Sequence, residues 1–215
     1  MEFLPEKIDD YTANHTSAES EVLAQLNRDT HAKVLQPRML SGHVQGRILS
    51  TFSHMLKPKR ILEIGTYTGY SAICLAEGLA PDGKLHTIDI NEELEEMVKS
   101  YISKANMENQ IQMHVGNAME IIPSLNETWD LIFIDADKEN YSNYFDLVID
   151  HIRPGGFIIA DNVLWSGKVV EKVSAKDLET QALIDFNKKV HEDNRVDNVL
   201  FPVRDGLMVC RKTTS

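Results

Sequence analysis

The chain has 215 residues, 42% apolar and 26% charged, which excludes a disordered or fibrous polymer and predicts one substantial α/β core. Thirty-three acidic against 22 basic residues give a formal charge of −11, which opposes nucleic acid and anionic membranes unless Lys and Arg cluster on one face. With only Cys74 and Cys210 there is no disulfide framework or zinc knuckle. The opening residues lack a signal-peptide pattern and no run reaches the ~18 apolar residues of a membrane span, so a cytoplasmic location is expected.

In chain order, residues 16–35 read as a helix, with Val22, Leu23, Leu26 and Val34 apolar and Thr16 to Glu19 as a capping box. Pro37 interrupts it. Residues 41–56 form a second helix with Val44, Ile48, Leu49, Phe52 and Leu56 as its apolar set. From residue 60 onward strands alternate with helices: strands at 60–64, 84–88, 111–115, 130–134 and 157–160, and helices after Gly69, after the N-cap Asn91, at 118–125 and at 175–190. Residues 196–203 and 207–211, joined by Arg204-Asp205-Gly206, read as an antiparallel hairpin. The prediction is an α/β fold with a mainly parallel sheet and an antiparallel edge hairpin, in one domain over 1–215 whose first 40 residues form a helical cap.

After the first strand comes Glu63-Ile-Gly65-Thr-Tyr67-Thr-Gly69-Tyr-Ser71. Its glycine spacing is not the dinucleotide pattern G-x-G-x-x-G, and Thr66, Tyr67 and Thr68 are bulky for a pyrophosphate cradle, so an uncharged or zwitterionic ligand suits it better. Asp89, 24 residues beyond Gly65 at the next strand end, is placed to accept both hydroxyls of a ribose. Glu63 could order the loop by accepting backbone N–H bonds. The two glycines would equally serve to end a strand and admit tight helix packing.

Two later strands also end in carboxylates, in Asp135-Ala136-Asp137-Lys138 and Asp161-Asn162. Asp135, Asp161 and Asn162 offer only oxygen, which suits Mg²⁺, Ca²⁺ or Mn²⁺ rather than zinc and leaves coordination sites for a vicinal diol. A phenol ionises near pH ~10, so making such a hydroxyl reactive at neutral pH needs a cation and a base, and Lys138 is the candidate base. The plainer alternatives are that these aspartates cap helices, that Asp161-Asn162 makes an Asx turn, and that Lys138 is a surface lysine.

Asp135-Ala-Asp-Lys138-Glu-Asn-Tyr141, Asp161-Asn162-Val-Leu-Trp165-Ser-Gly167 and the closing Phe201-Pro-Val-Arg-Asp205-Gly206-Leu-Met-Val together resemble the cation-dependent O-methyltransferases that use S-adenosylmethionine, the group of catechol and caffeoyl-CoA O-methyltransferases. The resemblance implies a Rossmann-like class I methyltransferase with a seven-stranded sheet and helices on both faces. It implies Asp135, Asp161 and Asn162 as metal ligands and Lys138 with Asp135 as the catalytic pair. It places Met39, Ser41, Glu63, Gly65, Tyr67, Ser71, Asp89, Ala118 and Asp135 around S-adenosylmethionine, with Met119 bordering the adenine.

Ala136 and Asp137 depart from the animal catechol enzyme, which has histidine and tryptophan there, and follow the plant and bacterial branch. A small aromatic diol or a hydroxycinnamoyl or flavonoid acceptor is therefore expected, with Trp165, Tyr141 and Tyr144 as a stacking wall. The resemblance also implies a homodimer. Two alternatives remain at this level, a tRNA hydroxyuridine methyltransferase, opposed by the charge, and a non-catalytic nucleoside-binding domain.

Overall fold

The computed structural model describes residues 5–214; the ends of the expected 1–215 unit, residues 1–4 and 215, lie outside them. Seven strands make one sheet: β1 (Arg60–Ile64), β2 (Lys84–Asp89), β3 (Ile111–Val115), β4 (Trp129–Ile134), β5 (Ile152–Asp161), β6 (Val196–Phe201) and β7 (Leu207–Lys212). Their order is β3-β2-β1-β4-β5-β7-β6, parallel except where β7 runs antiparallel to both β5 and β6. The expected mainly parallel sheet with a closing hairpin is what forms.

Eight α-helices accompany it among the described residues: α1 (Glu6–Asn14), α2 (Glu21–Lys33), α3 (Gly42–Leu56), α4 (Tyr70–Ala76), α5 (Glu95–Lys104), α6 (Ala118–Leu125), α7 (Tyr141–Ile149) and α8 (Leu178–Glu192). The central strands read as unbroken apolar runs because successive side chains serve opposite cores. Leu62, Ile64, Ile132 and Ile134 join Ile122 of α6, Phe145 and Val148 of α7, and Leu183 and Phe186 of α8. Ile61, Leu131 and Phe133 join Leu23 and Leu26 of α2, Leu49 of α3, every residue of α4 except Ser71, and Val98 and Ile102 of α5. Helices thus cover both faces.

Several boundaries differ from the sequence expectation. No capping box forms at Thr16; α2 starts at Glu21, where Ser20 Oγ accepts from the Leu23 N–H at 3.3 Å, and the Thr16 hydroxyl donates back to Thr12 O at 2.7 Å. α1 was not anticipated, and none of its residues is buried. α3 buries Gln45, Gly46, Leu49, Ser50 and Ser53, whereas Val44, Ile48, Phe52 and Leu56 are only half-buried. Its inner face is small and polar because it lies close on α4: a β-carbon on Gly46 would come within 2.6 Å of the Tyr70 ring, and Ser53 Oγ donates to Leu75 O at 2.6 Å.

The chain leaves β1 toward β2 on one side and enters β4 on the other, so strand order reverses between β1 and β4. In open parallel sheets a ligand crevice lies beyond the strand C-termini at such a reversal. The loops after Ile64 and Ile134 flank it, and the loop after Asp161 lies one strand further along.

Candidate active site

A cavity of about 1480 Å³ opens at that reversal. Its lining includes Gly65, Tyr67, Asp89 and Ala118 on the β1 to β3 side and Asp135, Lys138, Asp161 and Asn162 on the β4 to β5 side. Residues 34–41, ahead of α3, supply another wall that contains Met39 and Ser41. Single small-ligand pockets span roughly 300–1,000 Å³, so this space suits two ligands side by side.

The glycine turn is held by its neighbours in a specific way. Gly65 takes φ +101° because the Asp135 carbonyl lies against it, and Gly69 at φ +87° opens α4. Asp89 orders this loop: Oδ2 accepts from the Tyr67 N–H at 2.7 Å and Oδ1 from the Asn91 N–H at 2.9 Å. Each of its oxygens has a further lone pair that can accept another hydrogen bond.

Glu63 takes a different part from the one expected of it. Fully buried, it accepts from Thr87 Oγ1 at 2.5 Å, and because the single Thr87 proton is used there, Thr66 Oγ1 donates to Thr87 at 2.5 Å. Burial pushes the Glu63 carboxyl up to about 8. Thr66 and Thr68 point inward into this polar layer, the latter accepting from Thr30 Oγ1 at 3.2 Å, so their bulk does not narrow the ligand side.

At the opposite wall one ammonium gathers three oxygens. Lys138, 7% exposed, donates from Nζ to Asp135 Oδ1 at 3.0 Å, Asn162 Oδ1 at 2.9 Å and Tyr141 Oη at 2.6 Å. A charged lysine has three N–H donors, and all are used. Tyr141 Oη in turn donates to the Asp161 carbonyl at 3.0 Å.

Asp161 is buried, and burial together with the nearby Asp135 charge raises its carboxyl above the usual range. Its Oδ1 accepts from the Asn162 N–H at 2.7 Å and its Oδ2 from Gln45 Nε2. Asn162 adopts the left-handed region at φ +59°, which presents its amide oxygen beside Asp135. Asn tolerates that backbone better than most residues.

A family model described as O-methyltransferase matches residues 13–213. The chain belongs to the O-methyltransferase family. Caffeoyl-CoA O-methyltransferase 5 of Nicotiana tabacum is 34% identical over 198 residues, covering 87% of this chain and 82% of the relative. The caffeoyl-CoA O-methyltransferase of Petroselinum crispum is 34% identical over 205 residues, covering 90% and 85%. Among solved structures, the O-methyltransferase from Bacillus cereus in complex with SAH superposes with a TM-score of 0.90 at 29% identity, covering 96% of this chain and 97% of that one. TomG from Streptomyces achromogenes, in complex with SAM, gives 0.87 at 29% identity over 96% of each chain.

The protein is therefore an S-adenosylmethionine-dependent O-methyltransferase with a Rossmann-like sheet, which sets aside the non-catalytic alternative. Of the residues expected around the cofactor of this O-methyltransferase, Met39, Ser41, Gly65, Tyr67, Asp89, Ala118 and Asp135 line the cavity, while Glu63 and Ser71 are buried behind its wall. Asp137 is taken up elsewhere, accepting from Tyr144 Oη at 2.6 Å and from Asn140 Nδ2.

Trp165 and Tyr144 line the cavity, but Tyr141 does not stack there: it is fully buried, edge-on to Phe186 at 5.4 Å. The closing hairpin of the O-methyltransferase shapes the Trp165 loop, since Asp205 accepts from the Leu164 N–H at 2.9 Å with its carbonyl and from the Ser166 N–H with Oδ1. Gln45 was missed from sequence. Its signal was a polar side chain four residues before Leu49 and eight before Ser53, on what proves to be the inner face of α3.

Proposed function

We propose that this enzyme moves the methyl group of S-adenosylmethionine to one hydroxyl of a small vicinal aromatic diol, catechol-like or carrying a hydroxycinnamoyl or flavonoid frame. Asp135, Asp161 and Asn162 hold a divalent cation, Mg²⁺ or otherwise Ca²⁺ or Mn²⁺, and Lys138 is the base. The observation that carries this reading is the Lys138 ammonium between Asp135 Oδ1 and Asn162 Oδ1 on the wall facing the glycine turn.

The donor chemistry fits such an ion. Two carboxylates and an amide oxygen suit a hard cation that keeps coordination sites for other ligands, and donors already fix both oxygens of Asp161. When bound, the cation supplies electrostatic stabilisation of a phenolate oxygen. The cofactor supplies a methyl group on positively charged sulfur.

Lys138, an ammonium in the ligand-free fold, would release that proton to solvent as the cation takes over Asp135 and Asn162, and as the neutral amine its Nζ would then take the acceptor's hydroxyl proton. Bound S-adenosylmethionine would supply the methyl carbon, its carbon–sulfur bond breaking with the electron pair left on sulfur as the acceptor oxygen bonds to that carbon. Gly65, Tyr67, Asp89 and Ala118, with Met39 and Ser41 from the preceding segment, hold the donor for in-line approach, and Glu63 and Ser71 support them from behind. Trp165 and Tyr144 flank the acceptor ring. The helical segment ahead of residue 41 serves as a cap in a cytoplasmic homodimer.

Among the described residues no helix is long and apolar enough to cross a membrane, and the charge of −11 disfavours an RNA acceptor. The test is methyl transfer from labelled cofactor across catechols, caffeoyl esters and flavonoids, with and without chelator, and with Asp161→Ala. Loss of transfer on chelation, restored by Mg²⁺, is expected. Full activity in chelator would sink the metal reading.

A further inference from the structure

Gln45 belongs to none of the roles assigned so far, yet it is 3% exposed and reaches both the cavity and Asp161. Gln45 Nε2 donates to Asp161 Oδ2, the contact that an ionised carboxylate oxygen accepts. The other oxygen, Oδ1, accepts from the Asn162 N–H at 2.7 Å. One donor on each oxygen fixes the plane of the carboxylate, where a single donor would leave it free to turn about its last torsion. Each oxygen retains a lone pair for a cation.

The amide is itself held in place. α3 is keyed to α4 by the close approach of Gly46 to Tyr70 and Cys74, by the bond from Ser53 Oγ to Leu75 O, and by the Arg47–Glu77 ion pair at 2.9 Å. Gln45 therefore projects from a rigid element, and Asp161 at 3% exposure has little water to replace a lost donor.

We propose that Gln45 is a positioning residue that holds the Asp161 carboxylate in the orientation needed to bind the divalent cation. This rests on the reading of Asp135, Asp161 and Asn162 as the cation ligands. It makes cation affinity depend on a side chain from the segment before β1, which touches no cation itself.

The test is calorimetric titration of the full chain with Mn²⁺, on wild type, Gln45→Met, which matches the shape without the donor, and Gln45→Asn, which keeps an amide one methylene short of Asp161. Removing such a supporting hydrogen bond typically weakens metal binding by about 10- to 100-fold, and that loss is expected in both variants. SAH binding by both variants is expected to persist, showing that the fold and the cofactor side are intact. Mn²⁺ affinity equal to wild type in both variants would overturn the inference while leaving the metal reading standing. Equal loss of SAH binding would also overturn it, in favour of a general packing role. A wild-type chain that binds no Mn²⁺ would overturn the metal reading and this inference with it.

Discussion

A β-carbon added to Gly65 would stand 1.9 Å from the carbonyl oxygen of Asp135. The glycine of the cofactor turn is thus required by the backbone of the loop that carries the first carboxylate. The Asp135 N–H also donates to Ile64 O at 2.9 Å, so the two loops at the strand reversal form one unit.

Gly65→Ala should therefore damage both sides of the site. Left-handed backbone strain and the overlap with Asp135 together would cost about 2–5 kcal/mol. Thermal unfolding and SAH titration of the purified variant check this: a lower midpoint together with weakened SAH binding is expected, and wild-type behaviour in both would show that the loops can part.

The ends of β1 coincide with an apolar run in the sequence because its side chains serve cores on both faces, and those of the edge strand β3 were legible from the turn residues that bound it. Asp135, Asp161 and Asn162 were legible for the same reason, as polar residues closing apolar strands. β5 was read too short: it begins at Ile152 and passes through Pro154-Gly155-Gly156, residues that ordinarily end a strand. α1 buries no residue, so no core contact marks it out. The inner face of α3 escaped because close approach to α4 selects Gly46, Ser50 and Ser53, and small polar residues look like a solvated face. Tyr141 was taken for a stacking wall because sequence shows its aromatic ring but not that its hydroxyl is tied between Lys138 and Asp161.

Tyr141→Phe isolates that hydroxyl. The ring keeps its packing on Phe186, while Lys138 loses its 2.6 Å acceptor and the Asp161 carbonyl its 3.0 Å donor. Hydrogen bonds to charged groups are worth about 1.5–3 kcal/mol, which corresponds to a fall of about 10- to 100-fold in kcat. Steady-state kinetics should show this with an unchanged KM for S-adenosylmethionine, since the cofactor residues are untouched.

Glu63 gives the ligand-free protein a specific pH dependence. Its carboxyl sits at about 8 in the fold against an ordinary 4.5, so between these values the folded chain keeps a proton that the unfolded chain releases. Stability from this group is complete below the lower value and declines as pH rises toward the upper one. Glu63→Gln removes the dependence, so the variant should gain on wild type by up to ~1.4 kcal/mol per pH unit across that window and by no more above it. Urea unfolding at mildly acid, neutral and mildly alkaline pH measures the difference, and a constant gap would contradict a protonated Glu63.

Lys138→Met separates the base from the cation site. In the ligand-free fold the ammonium neutralises Asp135 and satisfies the Asn162 and Tyr141 oxygens, so its removal leaves three oxygens at one wall without their shared donor. The ligand-free variant should be less stable than wild type. A divalent cation no longer has to compete with the ammonium for Asp135 and Asn162, and a ligand that binds only the folded state raises stability with the logarithm of its concentration over its Kd. Added Mg²⁺ should therefore raise the melting temperature of Lys138→Met more than that of wild type. Methyl transfer moves the other way, because loss of a positioned general base costs about 10²- to 10⁴-fold. A variant with stronger Mg²⁺ stabilisation, retained SAH binding and a collapsed kcat would assign proton removal to Lys138. Retained kcat would transfer that role to another group, and an unchanged Mg²⁺ response would mean that the ion does not occupy the Asp135 and Asn162 oxygens.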